Sequence, residues 1–121
     1  MSRILVVAPL PTSIAVAILA SHGHEVLCVE TGTRGISSAE DEEEWDLVLL
    51  QLEQTDMTGV ELATCLRWRH PGLRLVVFSR SIDSALKVSA LDAGADDYWV
   101  TPMGDAEMIA RVRAVLRRGQ N

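Results

Sequence analysis

The residues that end three of the predicted strands determine what chemistry this 121-residue chain can perform. Gln51 ends the apolar run 47–50, and its amide cannot form the acyl phosphate that a carboxylate could form there. Ala8 ends the first strand, Pro9 comes next, and Thr101 follows the last strand, so neither acids nor a positive charge stand at these positions. Magnesium prefers hard oxygen ligands, usually including carboxylates. The sequence therefore predicts no catalytic residue, no metal site, and no Mg²⁺ or other cofactor.

Three other polar residues lie close to these positions. Ser79 follows the fourth predicted strand and keeps a useful hydroxyl group, while Glu53 and Asp56 follow the third strand. We expect both acids to be solvated loop residues, although either could supply the carboxylate that Gln51 does not. The first loop, 8–12, contains no glycine, which excludes a dinucleotide fingerprint and a phosphate-binding P-loop. An enzyme is therefore not expected.

Five short apolar runs alternate with five helix-like segments. The predicted strands are 3–8, 25–29, 46–51, 73–78 and 97–100. The predicted helices are 11–21, 32–43, 58–69, 82–93 and 104–118. Continuous apolar runs are typical of strands buried on both faces of a parallel sheet, and βα repeats imply right-handed crossovers. The pattern Thr58-x-x-Glu61 predicts a capping box at the third helix. We therefore predict an α/β fold: one domain, 1–121, with a doubly wound five-stranded parallel sheet and its crevice beyond the strands' carboxyl ends.

Composition narrows the class of protein. The net charge of −6 argues against a general polyanion-binding surface. No stretch approaches the roughly 18 apolar residues of a membrane span. Cys28 and Cys65 are the only cysteines, and two isolated cysteines predict neither a disulfide nor a metal site. We expect a cytoplasmic protein with no membrane association.

Several segments together resemble the receiver domain of two-component response regulators. They are the third strand with its loop, the approach to the last strand, and the last helix, at 46–62, 93–98 and 111–118. The resemblance covers nearly the whole chain and implies the (βα)5 flavodoxin-like receiver fold with strand order 2-1-3-4-5. It also implies that Ser79 is the switch hydroxyl and Tyr98 the switch aromatic.

The chain departs from that family at the positions that perform its chemistry. The family's two metal-binding acids are replaced by Ala8 and Pro9, its phosphorylated Asp by Gln51, and its Lys by Thr101. The chain is therefore similar to an atypical receiver, or pseudo-receiver. The family's Lys-Pro peptide is commonly cis, which implies a cis peptide before Pro102. As a hypothesis, the Gln51 amide donates a hydrogen bond to Ser79 or Thr101 and so holds one switch state without phosphate.

The end of the chain resembles the OmpR/PhoB subfamily, whose members dimerise through helix four, strand five and helix five. The resemblance implies three charge pairs between protomers: Lys87 with Glu107, Asp92 with Arg113, and Asp97 with Arg111. Exposed pairs contribute only about 0–1 kcal/mol each, so an apolar centre is needed. Its candidates are Val88 and Leu91 on helix four, and Ala110 or Ala114 on helix five. The alternative is that these charges are independent surface residues.

These observations predict a phosphorylation-independent, receiver-like signalling module that acts by protein–protein contact, as a homodimer or with a partner signalling protein. It would be the N-terminal part of a longer regulator, with nucleic acid bound only by an output domain outside this sequence. The alternative is a receiver-like domain that senses a small neutral or hydrophobic ligand. A third interpretation is a phosphoacceptor that uses Glu53 or Asp56, or another α/β enzyme.

Overall fold

A computed structural model of the protein describes residues 2–40 and 44–118. Within them, five parallel strands form one sheet in the order β2-β1-β3-β4-β5. Their bounds are β1 (Arg3–Val7), β2 (Glu25–Val29), β3 (Leu47–Gln51), β4 (Leu75–Ser79) and β5 (Asp97–Val100). The predicted fold class and strand order are confirmed.

Five helices cover both faces of this sheet. They are α1 (Val16–Ser21), α2 (Gly32–Ala39), α3 (Gly59–Arg69), α4 (Ser84–Asp92) and α5 (Asp105–Arg117). Side chains of β1 alternate between the faces, because successive residues of a strand point to opposite sides. Ile4 and Val6 pack in the layer that contains α1 and α5, whereas Leu5 and Val7 pack in the layer of α2, α3 and α4. No helix of the described ranges has the length and apolar character needed to cross a membrane.

The start of α1 differs from the prediction. The helix begins at Val16 and not at residue 11. The Thr12 hydroxyl accepts a hydrogen bond from the backbone N–H of Ile14 at 3.3 Å, and the Ser13 hydroxyl pairs with that of Thr101 at 3.0 Å. Hydroxyl side chains that bond locally compete with helix formation. The apolar pattern around Ile14 therefore belongs to a buried loop residue.

The other bounds differ by a few residues. β1 ends at Val7, one residue early, and β4 runs one to two residues later than predicted. α2 ends at Ala39, while the last predicted residues of that helix, 41–43, lie outside the described residues.

The capping box predicted for α3 is confirmed. The Thr58 hydroxyl accepts from the backbone N–H of Glu61 at 3.0 Å, and the Glu61 carboxylate accepts from the N–H of Thr58 at 3.4 Å. At the next residue, the backbone N–H of Gly59 donates to the carbonyl of Leu52 at 2.8 Å. The start of α3 is thereby tied to the end of β3, which fixes the intervening loop.

α4 is the least embedded of the longer helices. Ala90 is its only buried residue, and its other eight residues are exposed. The helix begins after Asp83, whose carboxylate accepts from the backbone N–H of Ala85 at 2.8 Å. α4 therefore contributes little to the apolar core, and the loop that precedes it supplies its N-terminal cap.

Candidate functional site

The residues predicted to meet at the carboxyl ends of the strands do meet there. Ala8 is fully buried at the end of β1, Pro9 is half-buried beside it, and Ser79 and Thr101 are buried at the ends of β4 and β5. An open cleft of about 300 Å³ lies at this edge, lined by Pro11, Thr12, Ser13, Gln51 and Arg80. The crevice is therefore lined mainly by neutral polar groups and one arginine.

Gln51 does not make the contact proposed for it. Within the described ranges its side-chain oxygen is buried without a hydrogen-bond partner, and its amide bonds to neither Ser79 nor Thr101. The hypothesis that the Gln51 amide holds the switch is therefore wrong. A buried acceptor without a donor is costly, because its water contacts are lost and not replaced.

Gln54 is a site residue that the sequence did not indicate. Its side-chain amide donates to the backbone carbonyls of Val7 at 3.0 Å and Gln51 at 2.7 Å, thereby joining the tips of β1 and β3. A glutamine in a polar loop gives no periodicity or motif signal from which this role could be predicted. Two carbonyl oxygens that could otherwise face an ion are thus already occupied by an amide.

Thr101 is buried, and its hydroxyl lies 3.0 Å from the hydroxyl of Ser13. The peptide between Thr101 and Pro102 is cis, as the resemblance implied, and the peptide between Leu10 and Pro11 is also cis. The Thr101 side chain is uncharged and internally bonded, so it offers no cation to an anionic group in the crevice.

Ser79 bonds to an acid of the neighbouring loop. Its hydroxyl donates to the carboxylate of Glu53 at 2.9 Å and accepts from the backbone N–H of Ser81 at 3.0 Å. Glu53 was expected to be a simple solvated acid, but it is a specific partner of the buried Ser79 hydroxyl, although its own side chain remains exposed. The Ser79 hydroxyl is therefore turned into the crevice with both hydrogen-bonding roles in use.

Tyr98, the predicted switch aromatic, is 6% exposed. Its hydroxyl donates to the backbone carbonyl of Ser81 at 2.9 Å. A continuous set of hydrogen bonds thus runs from Glu53 through Ser79 and Ser81 to Tyr98 in β5.

Asp56 also has a structural role that the sequence did not indicate. Its carboxylate accepts from the backbone N–H groups of Gly32 and Thr33, each at 2.9 Å, and from the Thr33 hydroxyl at 2.5 Å. These hydrogen bonds hold the pKa of Asp56 below its ordinary value of 3.8. The bond from the Thr33 hydroxyl has the largest effect, and the bond from the Thr33 backbone N–H has the next largest. Asp56 is an exposed loop acid, as expected, but its carboxylate also anchors the start of α2.

We expect Asp56→Asn to lower the melting temperature by a few degrees at neutral pH. A pKa that is lowered in the folded state gives stability that is fully present above the ordinary value and is lost as the pH falls through the folded value. The difference between the variant and the wild type should therefore close as the pH falls below 3.8. Thermal denaturation at several pH values measures it, and parallel curves across that range would contradict the assignment.

The surface predicted to form a dimer contains exposed side chains from α4, β5 and α5. On α4, Val88 is 55% and Leu91 37% exposed, and Lys87 and Asp92 are exposed beside them. On α5, Ala110 and Arg113 are exposed, and Ala114 is half-buried. We call this surface the α4–β5–α5 face.

Two of the charge pairs predicted for that face involve residues that already have partners within the chain. Glu107 and Arg111 form an ion pair along α5, with Nε and Oε2 at 2.8 Å. Asp97 accepts from the backbone N–H of Tyr98 at 2.8 Å and from the indole N–H of Trp99 at 2.9 Å. Pairing between protomers through these residues stays a prediction and would require them to share or exchange their partners.

Comparison with known proteins identifies relatives of the chain. A sequence model described as the response regulator receiver domain matches residues 8–113. The transcriptional regulatory protein KdpE of Mycobacterium tuberculosis is 41% identical over 101 residues, which cover 83% of this chain and 43% of KdpE. The cell cycle transcriptional regulator CtrA of Caulobacter vibrioides is 34% identical over 102 residues, which cover 84% of this chain and 44% of CtrA. The chain thus spans less than half the length of these curated relatives.

Solved structures match over nearly the full length. A CheY-like receiver domain protein from Methanospirillum hungatei is 28% identical with a TM-score of 0.86, covering 96% of this chain and 94% of that chain. The receiver domain of the Pseudomonas aeruginosa histidine kinase PA1611, with a magnesium ion coordinated in its active-site cleft, has a TM-score of 0.84 at 23% identity, covering 95% and 97%. With its sheet order, its crevice and its OmpR-family relatives, the chain belongs to the family of response regulator receiver domains.

Proposed function

We propose that this chain is a receiver module that works without phosphorylation and signals by protein–protein contact. The observation that carries the proposal is the pair of contacts that engage its two crevice acids. Glu53 accepts from Ser79 and Asp56 accepts from the start of α2, while the tip of β3 holds the amide of Gln51. No carboxylate of the described crevice is therefore both free and placed where a phosphoacceptor is needed, which argues against Glu53 or Asp56 in that role.

The residues around Gln51 do not fit a magnesium ion. Ala8 contributes a buried methyl group, and Pro9 contributes a ring. The carbonyls of Val7 and Gln51 accept from Gln54, and the Gln51 side-chain oxygen is enclosed. Magnesium needs near-octahedral oxygen ligands and usually at least one carboxylate, so we assign no role to the ion.

In this proposal the α4–β5–α5 face is the contact surface, and the module is a homodimer. Apolar side chains of α4 supply the centre of the contact, since exposed ion pairs set register and partner choice more than affinity. Lys87, Asp92 and Arg113 remain exposed at its rim. The face is self-complementary in charge, as a two-fold symmetric contact requires.

The dimer is tested by Leu91→Glu, which places a charge at the proposed apolar centre. We expect the dissociation constant to rise by about 100-fold, because apolar burial is lost and a charge must be desolvated. Sedimentation velocity over micromolar to millimolar concentrations measures it. Trp68→Ser is the matched control, since Trp68 is an 83% exposed apolar residue on α3. A wild-type chain that stays monomeric throughout would contradict the dimer.

The longer relatives suggest what such a dimer would control. KdpE and CtrA are transcriptional regulators, and the matched regions are less than half of each. We infer that this module controls an attached DNA-binding output domain in a cytoplasmic regulator, and that nucleic acid is contacted by that domain alone. Association of two modules would bring two output domains together and so favour binding to paired half-sites.

One observation favours ligand sensing as a second candidate function. The cleft beside Gln51 has a volume near the lower end of the range for small-molecule pockets. Its lining includes the hydroxyls of Thr12 and Ser13 and the guanidinium of Arg80, so a polar ligand fits better than the neutral or hydrophobic one expected from the sequence. A thermal-shift screen of small carboxylates tests this, with Arg80→Ala as the control that should abolish any shift.

A further inference from the structure

Ser81 joins three parts of the molecule. Its backbone N–H donates to the Ser79 hydroxyl at 3.0 Å, its own hydroxyl accepts from the N–H of Asp83 at 3.1 Å, and its carbonyl accepts from Tyr98 at 2.9 Å. These bonds hold the segment between β4 and α4 through a single residue. The next residue, Ile82, is 86% exposed, so packing contributes little to the order of this segment.

The chain of bonds begins at Glu53. Since the Ser79 hydroxyl accepts from Ser81, its single proton is free to point to the carboxylate of Glu53, 2.9 Å away. A hydroxyl that donates to a charged acceptor becomes a better acceptor itself, because bonded groups polarise one another. Glu53 is held in turn by its backbone bridge to Thr58, just before the start of α3.

The start of α4 depends on these bonds because few side chains of the helix are buried. Only Ala90 is buried, and Asp83, which caps the helix, is itself bonded to Ser81. The route from Glu53 to the first turn of α4 thus runs through the residues Ser79, Ser81 and Asp83. No comparable contact ties that first turn to the sheet within the described ranges.

We infer that Glu53 is a positioning residue: its carboxylate orients the Ser79 hydroxyl and, through Ser81, fixes the start of α4 and with it the α4–β5–α5 face. The inference rests on the proposed function and adds its regulation. A fixed side chain of the protein sets the position of α4, so the face is presented constitutively. A basic partner residue that draws Glu53 away from Ser79 would release the helix.

Hydrogen exchange measured by mass spectrometry tests this. In Glu53→Ala we expect the amides of residues 81–87 to exchange about tenfold faster than in the wild type, because a charge-assisted hydrogen bond worth about 1.4 kcal/mol is lost. Ser79→Ala removes this bond and also the one from the Ser81 N–H, so it should give at least as large an increase, and adding Glu53→Ala to it should give no further increase. Amides of β1 and β3 should be unchanged. Glu30→Ala, which removes an exposed acid just after β2, is the matched control and should behave as the wild type.

Unchanged exchange at residues 81–87 in Glu53→Ala would overturn the inference. So would additive effects of the two substitutions, or faster exchange in every strand, which would indicate general destabilisation. Sedimentation of the same samples separates this result from the proposed dimer. A monomeric wild type with faster exchange in Glu53→Ala removes the dimer and leaves the role of Glu53 standing, and a dimer with unchanged exchange does the reverse.

Discussion

Acetyl phosphate or beryllofluoride with Mg²⁺ should leave the intact mass and the melting temperature of this protein unchanged. Gln51 offers no nucleophilic carboxylate, and Thr101 offers no charge to neutralise phosphoryl oxygens. A reactive receiver would gain the mass of a phosphoryl group from acetyl phosphate, whereas this chain should gain none because the group that would accept the phosphoryl is absent. A Mg²⁺-dependent gain in mass or stability would contradict the proposed function, and Glu53→Gln and Asp56→Asn would then show which acid responds.

A variant with the family's residues restored is the positive counterpart. It combines Ala8→Asp, Pro9→Asp, Gln51→Asp and Thr101→Lys. Crowded carboxylates repel one another, so the variant should be less stable than the wild type without metal and should regain stability as Mg²⁺ binds. At a Mg²⁺ concentration 100 times the dissociation constant, binding to the native state raises the free energy of unfolding by about 2.7 kcal/mol. Gln51→Asp alone should show no such response, since the other ligands are still missing.

Gly59→Ala is expected to lower the free energy of unfolding by about 3–5 kcal/mol, a large part of the roughly 5–15 kcal/mol of a typical domain. A Cβ atom at this position would lie 2.3 Å from the carbonyl oxygen of Leu52. The neighbour is backbone, so it cannot rotate away, and the bond from the Gly59 N–H to that oxygen must break or α3 must shift. Urea denaturation measures the loss.

Gly72→Ala is the matched control for this substitution. A Cβ atom at Gly72 would meet nothing within 4 Å. Replacing a glycine whose backbone suits alanine stabilises by about 0.4–1 kcal/mol through the unfolded chain. Equal stability of the two variants would show that the approach of Gly59 to Leu52 is not constrained as described.

The strands and their order could be predicted because the determinants are local. Apolar runs such as 47–50 are buried on both faces, and repeated βα units permit few topologies. The same topology rule predicted that Gln51, Ser79 and Thr101 meet at one edge, since parallel strands end together. These predictions needed only strand periodicity and chain direction.

The partners within that edge could not be predicted, because they depend on how the loop 52–58 folds. The bond between Gly59 and Leu52 turns this loop back on β3, which brings Glu53 to Ser79 and places Asp56 at the start of α2. Two acids that look equivalent in sequence thus have different structural roles. The start of α1 was mispredicted for a related reason, since the hydroxyl of Thr12 bonds locally in place of a helical turn.

The separation of the interior into two apolar layers has a consequence for binding at the β5 edge. α4 belongs to one layer and α5 to the other, with the sheet between them. A partner bound across that edge would contact α4 on one side of the sheet and α5 on the other. Its binding would therefore couple the unfolding of the two layers, including that of α4.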